Sequence, residues 1–313
     1  MGVKKAQKEK LIKPKFSMQL MWKQRYLLLM SVPFVIWLII FKYIPLWGWT
    51  MAFQDVRPKT MVLSVWERPF VGLQNFIKAF EDRVFGQALV NTIGLSILGI
   101  AFGTFMAILF ALMLNEICFE RFKKITQTIS YLPHFVSWVV IASIAKMVLN
   151  DGGMLETALG TKLGLMSTNS PLFWFTVVLI NVWKEVGWDA IVYLSAMAGI
   201  DQGLYEAAKV DGANRLQRIW HITLPGIKPT IIVLLIMGIG SALNVGMERQ
   251  MLLSNGIVQE HAMVLSWFSY VRGIGNSNYG LGTAIGMFQS LVGILLLLIA
   301  NKIAALLGES RLI

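Results

Sequence analysis

The chain has 313 residues, 56% of them hydrophobic and 14% charged, with a mean hydropathy of +0.63 and a formal net charge of +11. A soluble globular domain carries about a quarter charged residues, so this composition excludes an ordinary soluble domain and points to the membrane class. The positive balance does not indicate nucleic acid: Lys4, Lys5, Lys8, Lys10, Lys13, Lys15, Lys23 and Arg25 crowd into residues 1–25 against the single acid Glu9, with no aromatic–basic interleaving after them.

Residues 1–25 therefore read as a basic cytoplasmic arm, followed by a membrane domain over 26–313. The first apolar run carries Pro33, continues through Tyr43-Ile44-Pro45-Leu46 and shows no small-x-small cleavage pattern, so it is expected to be a retained span, not a signal peptide. A spanning helix needs about 20 mostly apolar residues. Six segments meet this: Tyr26 to Thr50, Phe85 to Glu116, Thr126 to Leu149, Pro171 to Gly199, Ile227 to Met247 and Leu281 to Leu307. Trp47-Gly48-Trp49 closes the first as an interfacial anchor. The expected fold is an all-α membrane protein with six transmembrane helices.

Lys and Arg counts orient it. With both termini cytoplasmic, the inside receives the basic arm, Arg121, Lys123 and Lys124, then Lys209, Arg215, Arg218 and Lys228, and finally Lys302 and Arg311. The outside receives Arg57, Lys59, Arg68, Lys78 and Arg83, then Lys162, then Arg249 and Arg272. Cys118, the one cysteine, cannot form an internal disulfide and reads as a small buried or lipid-facing residue. Outside, Asn150-Asp151-Gly152-Gly153 breaks the third span. The Gly-, Asn- and Ser-rich stretch Glu248 to Gly280 is expected to form turns and short surface helices, a rim that meets something outside.

The cytoplasmic loop 201–228 carries the densest information. Asp201 can cap a short helix containing Leu204, Glu206, Ala207, Ala208 and Lys209, and Gly212 can end it. Asn214 with Gln217 three residues on forms a capping-box pattern for a second helix. Leu216, Ile219 and Trp220 share one face of that helix, and Pro225 is expected to end the segment before the fifth span. An exposed apolar face requires cover from the rest of the protein, the lipid surface or a partner, and periodicity leaves all three open.

The spaced set Glu206-Ala207-Ala208, Gly212, Ile222 and Leu224-Pro225 resembles the EAA signature of ABC-importer permeases. From about Gln24 onward the chain is similar to carbohydrate-type permeases of binding-protein-dependent importers, in the LplB-like polysaccharide and oligosaccharide branch. The resemblance is carried by Tyr205 through Ala213, Trp220 through Pro229, and Leu243-Asn244-Val245-Gly246. It implies a MetI-like type I transmembrane domain in the cell membrane of a bacterium, paired with a second permease as a heterodimer. It also implies two ATPase subunits, an extracytoplasmic solute-binding protein and an oligosaccharide substrate. Glu206, Ala207, Ala208, Asp211, Gly212, Leu216, Leu224 and Pro225 become the expected contact with an ATPase. The chain has no phosphate loop, so ATP and Mg would be bound by the partner subunits; no enzyme activity, cofactor or metal is expected in this chain, and no nucleic acid.

Polar residues inside spans are costly and invite a functional reading. Lys184 lies sixteen residues from Ile200, about 24 Å along a helix, in the outer half of the bilayer. Lys184 and Glu185 are adjacent and so are not an ideal intrahelical pair, whereas Glu185 and Asp189 share a face. Two readings stand: an interhelical ion pair, or a hydrophilic path in which Trp183 and Trp188 face sugar rings. Asn91, Asn244 and Glu248 are candidates for the same path. His134 is expected to be packed or hydrogen-bonded. Lys184, Arg249 and Arg272 would favour an acidic sugar chain, or dock an acidic binding protein. The alternative from another class is an ion-coupled secondary carrier or channel for a small polar solute, with Lys184, Glu185 and Asp189 as its coupling site. A membrane enzyme using Glu185 and Asp189 is disfavoured, since two acids on one helix face cannot flank a scissile bond.

Overall fold

A computed structural model describes residues 22–166 and 172–308. The basic arm, except its last four residues, lies outside the described residues, as do Pro171 and Arg311. The chain divides into two units, Met1–Thr50 and Met51–Ile313.

The first unit is helical. Helix α1, Arg25–Leu38, passes through a π turn, Ile39–Tyr43, into a 3₁₀ segment that begins at Ile44. Every residue from 22 to 47 is exposed. A helix apolar on all sides and uncovered within its own unit has the surface of a membrane span.

In the second unit, helices follow in the order α2 Pro58–Met61, α3 Gln74–Glu81, α4 Arg83–Asn115, α5 Glu120–Tyr131, α6 Trp138–Leu149, α7 Met154–Leu159 and α8 Leu172–Ala198. Then come α9 Gln202–Val210, α10 Arg215–Arg218, α11 Leu224–Gly240, α12 Met247–Leu253, α13 Gln259–Ala262, α14 Leu265–Ser269 and α15 Tyr279–Leu306. Among the described residues there is no strand, only an isolated bridge between Gln54 and Phe70.

Helices α4, α8, α11 and α15 pack through small residues. Ala107, Ala111 and Ala190 are buried between α4 and α8, and Ala300 and Ala304 hold α15 against Ile236 of α11. Where α11 crosses α15, a Cβ on Gly293 would lie 2.7 Å from the carbonyl oxygen of Gly240. Close backbone approach through Gly and Ala is how helices associate where lipid removes the hydrophobic incentive. The outer face of α15 keeps Leu295, Leu298, Ile299 and Ile303 exposed, as a lipid-facing surface does.

Five helical stretches are long and apolar enough to cross a membrane: Arg25–Phe53, Arg83–Asn115, Trp138–Leu159, Arg215–Gly240 and Tyr279–Leu306. The segment expected as the fourth span forms the 27-residue helix α8. It is not among the five, because Lys184, Glu185 and Asp189 all lie in its middle.

Three expectations are corrected. The third span is not one helix: Pro133 has no N–H to continue α5, and the chain runs through a 3₁₀ turn, Leu132–Phe135, and extended Val136 and Ser137 before α6 begins. Pro225 does not end the loop. The chain from Arg215 to Gly240 is one helical stretch, with a π turn at Ile219–Thr223 closed by Leu224 N–H donating to Ile219 O, and the wider turn admits a proline without breaking the run. That stretch stops at Gly240, so Asn244 lies beyond it. The segment 248–280 does form short helices; Gln250, Leu253, Ala262, Leu265 and Phe268 in it are buried within the fold, while Ile257, Glu260 and Ile274 are exposed.

Candidate functional site: a cavity beside α8 and the loop that follows it

Helix α8 links the two regions of interest, since its last turn leads directly into the loop. There the local chemistry follows the sequence closely. Asp201 accepts from Gly203 N–H at 2.9 Å and starts α9. At its end, Ala213 N–H donates to Ala208 O (2.8 Å) and Gly212 N–H to Lys209 O (3.1 Å), with Gly212 at φ +80°. This is the paired closure that favours glycine in the left-handed region. Asn214 and Gln217 exchange hydrogen bonds of 2.9 and 2.8 Å to open α10. Tyr205 and Thr223 share a 2.9 Å hydroxyl contact that ties α9 to the π turn. Glu206, Ala207, Asp211 and Pro225 are exposed, while Ala208 and Leu224 are half-buried. Val210, Leu216 and Trp220 are 88%, 68% and 67% exposed, and Ile219, expected on the same face, is half-buried. The loop thus presents an apolar patch either side of the Gly212 turn that nothing in the described chain covers.

Higher on α8, a cavity of about 340 Å³ opens between α8, α4 and α11. Asn181, Trp188, Asp189 and Tyr193 line it from α8, Gly103 and Thr104 from α4, and Gly238 from α11. Beside it on α8 sits a polar cluster. Lys184, only 4% exposed, donates to His134 O at 2.7 Å and to Glu185 Oε1 at 3.0 Å. The other carboxylate oxygen of Glu185 holds His134 Nδ1, and the His134 ring lies on Trp188 with centroids 4.3 Å apart. Phe135 meets Trp188 edge-on at 5.6 Å. The break in the third span is therefore bound to α8 by ion pair, hydrogen bond and ring stack. Gly187 adds the closest approach: a Cβ there would lie 2.2 Å from Ser130 O.

This geometry sorts the expected path residues. Trp188 faces the cavity, as does Asp189. Lys184 and Glu185 are paired with each other, despite being adjacent, because His134 closes the arrangement. Trp183 faces an apolar groove with Ile141, Ile144 and Leu179. Asn91 is fully buried and both its N–H groups donate to carbonyls, Glu260 O and Met263 O, at 2.7 Å each, so it joins α4 to the 260–263 turn. Asn244 and Glu248 are exposed and do not line the cavity. The three cations expected on the outer side are engaged within the protein: Lys184 as above, Arg249 with Asn181 Oδ1, and Arg272 with Asp82 at 2.8 Å. Sequence reasoning missed Asn181, Thr104 and Tyr193 as cavity residues, and His134 as the partner of Glu185. A histidine directly after a mid-span proline, which frees local carbonyls, was the available signal.

Residues 99–309 match the family described as binding-protein-dependent transport system inner membrane component. The chain is 40% identical over 292 residues to the polygalacturonan/rhamnogalacturonan transport system permease protein YteP of Bacillus subtilis (strain 168), covering 92% of this chain and 90% of that one. It is 40% identical over 286 residues to Protein LplB of the same organism, covering 90% and 89%. A crystal structure of a bacterial alginate ABC transporter, in complex with an alginate pentasaccharide-bound periplasmic protein, contains a chain that superposes with a TM-score of 0.83. That chain is 35% identical, with 94% of this chain and 99% of that chain covered.

Proposed function

This chain belongs to the family of binding-protein-dependent transport system inner membrane components, a permease of the carbohydrate ABC importer type, and from that premise we propose how it works. It pairs with a second permease as a heterodimer, receives an oligosaccharide from an extracytoplasmic solute-binding protein, and passes it along α8. Of two ATPase subunits, one docks on this chain's loop from Glu206 to Pro225 on the cytoplasmic side, and both termini lie on that side with α8 as the sixth span. The observation that carries this reading is the uncovered patch of Val210, Leu216 and Trp220 around the Gly212 turn. Two capped short helices hold apolar side chains outward, which a loop facing only water has no reason to do. The loop lies between α8 and the stretch that becomes α11, so force on it reaches two walls of the cavity.

The relatives named for polygalacturonan/rhamnogalacturonan and for alginate support a saccharide as cargo. The test is reconstitution of the chain with its partner permease, ATPases and binding protein in liposomes. The expected result is saccharide uptake that needs both ATP and the loaded binding protein. Uptake by this chain alone, driven by an ion gradient, would replace this reading with the ion-coupled carrier.

A further inference from the structure

Helix α3 wears its apolar residues on the outside. Toward the protein it buries Asn75 and Ala79, and Asn75 Nδ2 donates to Ala52 O and Gln54 O at 2.9 Å each, which ties the helix down. Leu73, Ile77 and Phe80 are instead 62%, 51% and 52% exposed. They stand at i, i+4 and i+7, one stripe along the helix. Gln74, Lys78 and Glu81 are exposed too, and they repeat that spacing one residue later, about 100° around the axis. Successive residues thus serve three surroundings: an apolar stripe, a polar stripe and a buried one, side by side along the helix.

That arrangement identifies the cover. A helix that pierces a boundary between hydrocarbon and water is polar at one end, whereas one lying in the boundary is apolar on one side and polar on another. The polar stripe runs from Gln74 to Glu81, so the boundary runs parallel to α3. The apolar stripe continues the lipid-facing side of α15: Phe80 meets Phe288 edge-on at 5.3 Å, and Leu291, Leu295 and Leu298 follow, exposed, further along that helix. The loop before α3 adds Trp66 and Phe70, 82% and 77% exposed, and an indole is a ring that settles at the headgroup level. Lys78, on the polar stripe, sets its ammonium on the headgroup side.

We propose that α3, with Trp66 and Phe70, is a membrane-surface anchor whose partner is the phospholipid bilayer. Leu73, Ile77 and Phe80 enter the boundary between headgroups and acyl chains, and Gln74, Lys78 and Glu81 face the headgroups and water. In the orientation proposed above this is the outer leaflet. Phe80 also meets Phe85 at the start of α4, with centroids 5.1 Å apart, so one anchor holds α4 and α15 at a common depth. The inference concerns the lipid around the chain and stands apart from the cargo.

The test uses the full chain, assembled with its partner permease in phospholipid nanodiscs, with Cys118→Ser removing the one native thiol. Nitroxide labels are placed singly through Gln74→Cys, Ile77→Cys, Lys78→Cys and Phe80→Cys, and their collisions with oxygen and with a water-soluble nickel chelate are compared. The oxygen-to-nickel ratio is expected to be severalfold higher at 77 and 80 than at 74 and 78. Should the 77 or 80 variant fail to assemble, Phe70→Cys and Leu73→Cys are read in its place. As a second measurement, brominated acyl chains are expected to quench the part of the tryptophan emission that Trp66→Phe removes. Free nickel access at all four positions would place α3 in water and overturn the proposal. Immobilised labels that neither reagent reaches at 77 and 80 would show protein cover, by the first span or the partner permease, and overturn it too. So would a loss of oxygen access at those positions when the loaded binding protein is added.

Discussion

Trp188 lies flat on His134, with ring planes 2° from parallel and centroids 4.3 Å apart. The stack joins a cavity wall to the break in the third span, and Glu185 fixes the far side of the imidazole. Replacing His134 with Ala removes a half-buried hydrogen bond and the stacking surface together. The expected cost is about 1–3 kcal/mol, seen as a lower unfolding midpoint of the detergent-solubilised assembly. His134→Gln, which keeps a hydrogen-bond donor, is expected to recover part of the stability but not the Trp188 emission spectrum of a chain whose other tryptophans are changed to Phe.

Lys184 offers a sharper case. Lys184→Met leaves Glu185 without its buried cation and is expected to cost about 3 kcal/mol. Lys184→Met with Glu185→Gln removes both charges, and the double variant is expected to be more stable than the single one. Unfolding midpoints of the four chains in one cycle check the sign. A double variant that falls by the sum of both singles would show that the two do not act as a pair.

Gly212 is held at φ +80° with open space around its Cα. Substitution therefore meets a backbone penalty and no clash. Asn tolerates this conformation, whereas a β-branched side chain does not, at about 1–2 kcal/mol. ATP-dependent uptake is expected to persist in Gly212→Asn and to fall steeply in Gly212→Val, with binding-protein docking unchanged. Normal uptake by fully assembled Gly212→Val would remove the loop from the coupling route.

The apolar patch gives a fourth prediction. Leu216→Asp and Trp220→Asp alter exposed side chains and should leave the permease folded, with changes within about 0.5 kcal/mol. Co-purification of the ATPases is expected to be lost. Their retention at wild-type stoichiometry would place the docking surface elsewhere.

The loop was legible in the sequence because its signals are local. Asp201, Gly212, Asn214 and Gln217 each act within four residues, and each does what its side chain dictates. The helices α4 and α15 were legible from length and hydropathy alone. What escaped was tertiary. Lys184 and Glu185 are a poor pair on an isolated helix, and only His134, brought from fifty residues away by the break at Pro133, makes them one. Asn91 looked like a path residue because a polar group in a span suggests function, yet its partners are carbonyls from the 260–263 turn, which no local pattern announces. Pro225 was misplaced because a π turn is invisible to a rule built on 3.6-residue periodicity.

That π turn has a mechanical consequence. Because Arg215–Gly240 runs as one helical stretch, its 26 residues span about 39 Å, with the π turn at Ile219–Thr223 and Pro229 as the points where it can bend. The glycine crossing at Gly240 and Gly293 sits at its far end as a fulcrum, with Gly293 against the Gly240 carbonyl and Leu297 packed beside Gly240. A tilt of about 5° there carries the capping box at Asn214 through about 3 Å. Run in reverse, a displacement of that size at the loop becomes a small rotation of α11, and Gly238, one half-turn from the fulcrum, turns with it inside the cavity wall.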